Sequence, residues 1–323
     1  AFYNQKNIVA FTMGPNSQLT TIGANAFRGA NKLVNLTLGS KVETIGDYAF
    51  YQTALTGVTI SKNVAMIGNY AFGGTALSEL NFETGGTVGL TIGAYAFQNS
   101  KFTEVTLPSR LQVAYSFTEW GDGGRYGVIR LKTFYQIFDK NTALVAVNVE
   151  EGGLYFASVD GVVYEVGVNG TVASVLYCPP AKTGDVTIPK EVINVDAGAF
   201  ANTSLTSITF EEYDKNDPNY GTPLLEIGGG NITVDWQNPD TSYSVFSLKN
   251  GAGNLTTIKL PSHLKSLGSH VFNNLHKAGT QIIFNQDAKI ESIGNMAIRD
   301  CNITELSLPV VDSFGTYAFY GNK

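Results

Sequence analysis

Charged side chains make up only 15% of the 323 residues, and the chain holds just three histidines and two cysteines. The two cysteines, Cys178 and Cys301, cannot staple a small secreted domain and cannot supply a zinc site alone. Their number leaves the redox compartment undecided. His263, His270 and His276 are 7 and 6 residues apart, a spacing that matches no metal-binding pattern. Serine and threonine are plentiful, yet no Gly-x-Ser-x-Gly elbow sets one of them beside a histidine base. No run approaches the roughly 18 apolar residues that span a bilayer, and Ala1 opens no charged-then-apolar leader. Acidic residues outnumber basic ones 27 to 21, for a net charge of −6, and neither sign forms a long run. The basic face that displaces counterions from nucleic-acid phosphates is therefore missing. The absences point away from a metal, a cofactor, nucleic acid and a membrane span, and no catalytic residue stands out.

What is present in quantity is glycine (35 residues), aromatic side chains (11%) and a repeat. Ile22-Gly23-x-x-Ala26-Phe27 returns as Ile45-Gly46-x-x-Ala49-Phe50, Ile67-Gly68-x-x-Ala71-Phe72 and Ile92-Gly93-x-x-Ala96-Phe97, with phenylalanines 23, 22 and 25 residues apart. A period in this range means a solenoid, whose units are too small to bury an apolar face alone and must stack on their neighbours. Anchors of this kind are expected at Phe2, Phe27, Phe50, Phe72, Phe97, Phe117, Phe138, Phe200, Phe246, Phe272, Ile298 and Phe319. The intervals 138 to 200 and 200 to 246 are too long for one unit and must hold insertions.

A second pattern follows each anchor: Leu33-x-x-Leu36-x-Leu38, Leu55-x-x-Val58-x-Ile60, Leu77-x-x-Leu80-x-Phe82 and Phe102-x-x-Val105-x-Leu107, and again from Leu144, Leu205, Leu255 and Ile303. Alternation over its last four positions predicts a short strand with one buried face, pairing in parallel with its counterparts. The apolar pair before each glycine predicts a second extended stretch. Glycine should permit the turn that a β-carbon would obstruct, with Asp47 or Asn69 capping a single helical turn that carries Ala-Phe.

The two-part unit resembles the BspA-like class of bacterial leucine-rich repeats, most fully at Leu255 to Phe272 (LTTIKLPSHLKSLGSHVF), where Pro261 keeps the proline of the pattern, as do Pro108 and Pro309. The fold implied is a leucine-rich-repeat solenoid, a β-rich parallel-strand superhelix with short helical turns and an inserted antiparallel hairpin or meander. The expected organisation is a repeat block over 1–149, the hairpin insert over 150–185, and a second repeat block over 186–323. The insert is read from strands around Asp160-Gly161 and Asn169-Gly170. Both ends fall at an Ala-Phe anchor, so a fragment of a longer protein is expected, with any signal or anchor outside it. The resemblance implies an extracellular or cell-surface bacterial protein working in adhesion, with an extracellular protein as partner. A glycan-binding accessory module is the alternative.

Candidate contacts lie in two places. The outward strand positions Thr37, Thr59, Asn81 and Thr106, with Thr12 and Asn148 in line, form a polar ladder, and Glu79 and Glu104 stand beside it. Such a ladder either binds an extended partner or is simply a solvated face rich in strand-forming threonine. Trp120 and Tyr126, in a glycine-rich stretch, and Trp236, in the second insertion, stand outside the repeat. A loop aromatic of this kind is either a recognition contact or a plug over an irregular coil. Asp214, Asn216 and Asp217 suggest calcium, but the glycine and distal glutamate of a calcium loop are missing.

Overall fold

The computed structural model describes residues 1–113, 116–118, 129–131, 134–220, 225–228, 244–247, 254–275, 280–303 and 305–322. Its contacts divide into two compact units, Ala1–Gly161 and Val162–Lys323.

In the first unit the Ile-Gly stretches become a parallel ladder of short strands, Thr21–Ile22, Thr44–Ile45, Met66–Ile67, Leu90–Ile92 and Leu111–Val113. Ile22, Ile45 and Ile67 stand in register and are buried. The alternating stretches form parallel pairs on a second side: Ala10–Thr12 with Asn35–Thr37, Gly57–Ile60 with Glu79–Phe82, and Glu104–Leu107 with Ala146–Val149. Between the two ladders the anchor phenylalanines stack face to face. Ring centroids lie 4.9, 5.2, 5.1 and 5.6 Å apart along Phe2, Phe27, Phe50, Phe72 and Phe97. Each buried ring contributes about 1.5 to 3 kcal/mol from burial and about 0.5 to 1.5 kcal/mol from ring contact. The anchor turns are tied coil to coil as well: Phe27 N donates to Ala49 O, Phe50 N to Ala71 O and Phe72 N to Ala96 O, at 2.7, 2.7 and 2.8 Å.

Three expectations need correction. Phe117 is not an anchor: Phe97 stacks directly on Phe138, with centroids 6.0 Å apart. Ser116–Thr118 instead pairs antiparallel with Ile129–Leu131, so the chain leaves the coil after Val113 and returns at the helix Phe134–Ile137. Interval alone does not seat an anchor: Phe138 and Phe246 also lack the Ile-Gly pair and the alanine, yet both join the ring stack. Second, the predicted strand from Ile303 does not form over Glu305–Leu308. There the Ser307 carbonyl accepts from the Gln286 side-chain amide at 3.4 Å.

The third correction concerns the cap beside the glycine turn. Gly46, Gly68 and Gly93 do not adopt a left-handed φ. They are needed because the preceding coil presses against them: a β-carbon on Gly68 would sit 2.6 Å from the Asp47 nitrogen and 2.7 Å from the Gly46 carbonyl carbon. The left-handed conformation falls two residues later, on Asn25, Tyr48, Tyr70 and Tyr95, with φ of 57°, 56°, 54° and 59°. Asp47 and Asn69 also cap across coils rather than their own turn. Asp47 Oδ1 accepts from Asn69 N at 2.7 Å, and Asn69 Oδ1 from Ala94 N at 2.9 Å.

The second unit opens with the strands Val162–Val166 and Val172–Tyr177, paired antiparallel. Val172–Tyr177 also pairs in parallel with Asn194–Val195, which continues the ladder through Leu225–Ile227, Leu264–Leu267 and Ser292–Ile293. The other side is Thr183–Ile188, Ser204–Phe210, Thr257–Leu260 and Gln281–Phe284, all parallel. Phe200, Phe246 and Phe272 stack at 5.2 and 4.9 Å, and Ile298 pairs with Phe272. The interval of 46 positions from Phe200 to Phe246 thus leaves the stack uninterrupted.

Removing a ring from the interior column should cost far more than removing one from the surface. Phe72→Ala is expected to lose about 3 to 5 kcal/mol in urea unfolding, and Tyr70→Ala less than about 1.5 kcal/mol. Equal losses would contradict a load carried by the interior rings.

Candidate binding surface

The strand face of the first unit presents its ladder as the alternation requires. Thr12 is in register with Thr37, Thr59 with Asn81, and Thr106 with Asn148. Thr12, Thr37, Thr59, Asn81 and Thr106 are exposed, and Asn148 is half-buried. Glu79 and Glu104 are exposed beside them, and the Asn148 amide donates to Glu104 Oε1 at 2.5 Å. The corresponding line in the second unit is Thr187, Thr209, Lys259 and Ile283. Ile283 is 41% exposed there and interrupts the polar character. Trp120, Tyr126 and Trp236, together with His276, lie outside the described residues.

Sequence reasoning passed over a second surface, an aromatic edge built on the left-handed residues. Tyr48, Tyr70 and Tyr95 stack with centroids 4.9 and 4.7 Å apart and planes within 6° and 16°. Tyr51 meets Tyr48 and Tyr70 edge-on at 5.4 and 6.1 Å. The Arg28 guanidinium lies 5.0 Å from the Tyr48 ring centroid and 5.5 Å from that of Tyr51. Burial, then the neighbouring Tyr48 and Asp139, push the Tyr70 phenol above its ordinary range. The second unit repeats the constellation at the same phase of the repeat: Tyr317 meets Tyr320 edge-on at 5.6 Å, and Arg299 lies 6.0 Å from the Tyr320 ring. Tyrosine and arginine are the side chains that most often dominate protein interfaces. The signal was available in the identical tyrosines before Ala49, Ala71 and Ala96, which the repeat pattern treats as free positions.

The reactive side chains are placed for packing. Cys178 and Cys301 are both 1% exposed, and burial pushes the Cys301 thiol up to about 11. His263 is 2% exposed and meets the Tyr213 ring edge-on at 5.3 Å. Asp214 and Asp217 accept from the backbone nitrogens of Asn216 and Asn219 at 2.9 and 2.8 Å, closing their own loop. Among the described residues no group of histidine, cysteine and carboxylate side chains is arranged to hold a metal. No described helix is long and apolar enough to cross a membrane.

Burial holds His263 below the ordinary histidine range. The folded protein therefore keeps it neutral while the unfolded chain binds the proton near pH 6.5. The unfolded state then carries more protons, so stability should fall as pH drops from about 7 to about 5. His263→Phe should flatten that dependence in thermal melts, and an unchanged slope would contradict the assignment.

The fold places this chain among known proteins. The sequence profile of the BspA type leucine rich repeat region matches residues 1–118, 177–219 and 242–323, in six copies. A search of curated proteins gives no match. Among solved structures, the pneumococcal vaccine antigen PcpA is similar at 21% identity and a TM-score of 0.56, over 94% of this chain and 66% of that one. The chain thus spans slightly under two thirds of that protein's solved length. A leucine rich cell surface protein of Faecalibacterium prausnitzii matches at 18% identity and a TM-score of 0.51, over 88% and 75% of the two chains. A leucine-rich repeat protein of Bacteroides ovatus matches at 16% identity and 0.50, over 99% and 78%. At these identities the likeness is one of fold. With the profile matched over most of its length, this chain belongs to the BspA-type leucine-rich repeat family.

Proposed function

We propose that this chain is a non-enzymatic binding segment of a bacterial surface protein, attaching to host matrix proteins or to other cells. The observation that carries the reading is the exposed polar ladder Thr12, Thr37, Thr59, Asn81 and Thr106, with half-buried Asn148 in line, repeated over an interior filled with apolar side chains. Strands parallel to one another and short of side-chain bulk present a flat surface, and many modest hydrogen bonds summed along it suit an extended macromolecule rather than a small substrate. Glu79 and Glu104 add anionic points along that face. The relative from Faecalibacterium prausnitzii, described as a cell surface protein, supports the location. Trp120, Tyr126 and Trp236 enter this reading as further candidate contacts, taken from the sequence alone.

The purified chain is expected to bind an extracellular-matrix protein in a panel that also contains glycans. A variant combining Thr37→Arg, Thr59→Arg and Thr106→Arg should lose at least about tenfold in affinity, because bulk and like charge along a flat face disrupt close contact, while its thermal melt stays near that of the parent. Trp120→Ala with Trp236→Ala separates the loops from the ladder. Full binding by the threonine variant would remove the strand face from the proposal. Binding confined to glycans would replace the protein partner by a carbohydrate.

A further inference from the structure

The second unit holds a cleft of about 580 Å³ between the hairpin turn after Val166, the segment from Lys190 to Ile193, and the loop carrying Tyr213 and Asp217. Its volume lies in the range of cavities that take a small ligand or a partner's side chain. Two apolar groups stand at it uncovered: Val168, fully exposed on the hairpin turn, and Ile193, 40% exposed.

The charges in the cleft do not balance. Lys190 Nζ lies 3.2 Å from Asp217 Oδ2 and 4.9 Å from the Tyr213 ring centroid, so its ammonium is already neutralised. Asp217 is also held by the Asn219 backbone nitrogen at 2.8 Å. Glu191 lines the same cleft, half-buried, and forms no ion pair among the described residues. One carboxylate is left over in a partly apolar setting, where an opposite charge is worth more than in open water. A sugar is the weaker fit. Tyr213 is only 6% exposed, with Lys190 above its ring and His263 against it, so no aromatic face is open for a pyranose to stack on.

We propose that this cleft receives an arginine side chain from a protein partner. The guanidinium pairs with Glu191, and the aliphatic stem lies along Val168 and Ile193. Arginine is favoured over lysine because its planar fork pairs bidentately with a carboxylate and its weakly hydrated head costs less to bury. This rests on reading the chain as a protein-binding scaffold and names the partner chemistry at a site separate from the threonine ladder.

The test titrates the full chain with N-acetyl-arginine amide and follows the labelled methyl groups of Val168 and Ile193 by NMR. Saturable shifts are expected, with N-acetyl-citrulline amide, the uncharged mimic, at least about fivefold weaker. Glu191→Gln should weaken the arginine probe by roughly tenfold. Lys190→Gln should strengthen it, because the Asp217 carboxylate is released. Equal binding of the citrulline probe, no effect of Glu191→Gln, or shifts produced by chitotriose and not by the arginine probe would overturn the proposal. If those results came while the threonine variant still lost matrix-protein binding, the cleft alone would be wrong. Uptake of the arginine probe by a chain that binds no macromolecule would sink the broader reading and leave the cleft chemistry standing.

Discussion

The close approach of one coil to the next at the Ile-Gly pair is the constraint on which the rest of the structure depends. A β-carbon at Gly46, Gly68 or Gly93 would fall 2.6 to 2.7 Å from a backbone nitrogen of the coil before it. Once the glycine lets the backbones meet, the Asp47 and Asn69 side chains can bridge to the following coil, the anchor nitrogens can reach the next alanine carbonyl, and the phenylalanine rings can stack. Gly294 and Gly315 play the same part in the second unit, where a β-carbon would meet Gly268 and Asn295. Chains of this type gain stability by summing such nearest-neighbour contacts rather than by enlarging one core.

This constraint also explains what could be read from the sequence. The period, the parallel pairing and the buried isoleucine and phenylalanine columns were legible, because each follows from apolar side chains that must face inward. That a β-carbon at these glycines would obstruct the turn was legible, but not that it would strike the backbone of the preceding coil, because spacing alone does not show which groups the stacking brings together. The excursion after Val113 was misread because Phe117 lies at the right interval, and only its antiparallel pairing takes it out of the repeat. The tyrosine edge was hidden because Tyr48, Tyr70 and Tyr95 fall on a position the pattern leaves free, and only the stacking of coils brings them together.

Fixing the interior in this way frees the exterior. In the first unit the strand side is flat, polar and exposed, while the turn side carries stacked tyrosines with an arginine across two of them. In the second unit the polar line is broken by Ile283, and a cleft opens beside the hairpin turn after Val166. Identical coils therefore supply rigidity and spacing. Departures from the repeat supply relief and local charge, the features from which specificity is built.

The glycine constraint can be tested at one motif position in two surroundings. A β-carbon at Gly23 would meet nothing within 4 Å, whereas at Gly68 it would meet the backbone of the preceding coil at 2.6 Å. Neither glycine has a left-handed φ. Equilibrium unfolding of Gly23→Ala should show a gain of about 0.4 to 1 kcal/mol from the stiffer unfolded chain, and Gly68→Ala a loss of about 1 to 3 kcal/mol from overpacking. Changes of the same sign and size at both positions would contradict the central claim that close contact between coils, and not local backbone conformation, requires the glycine.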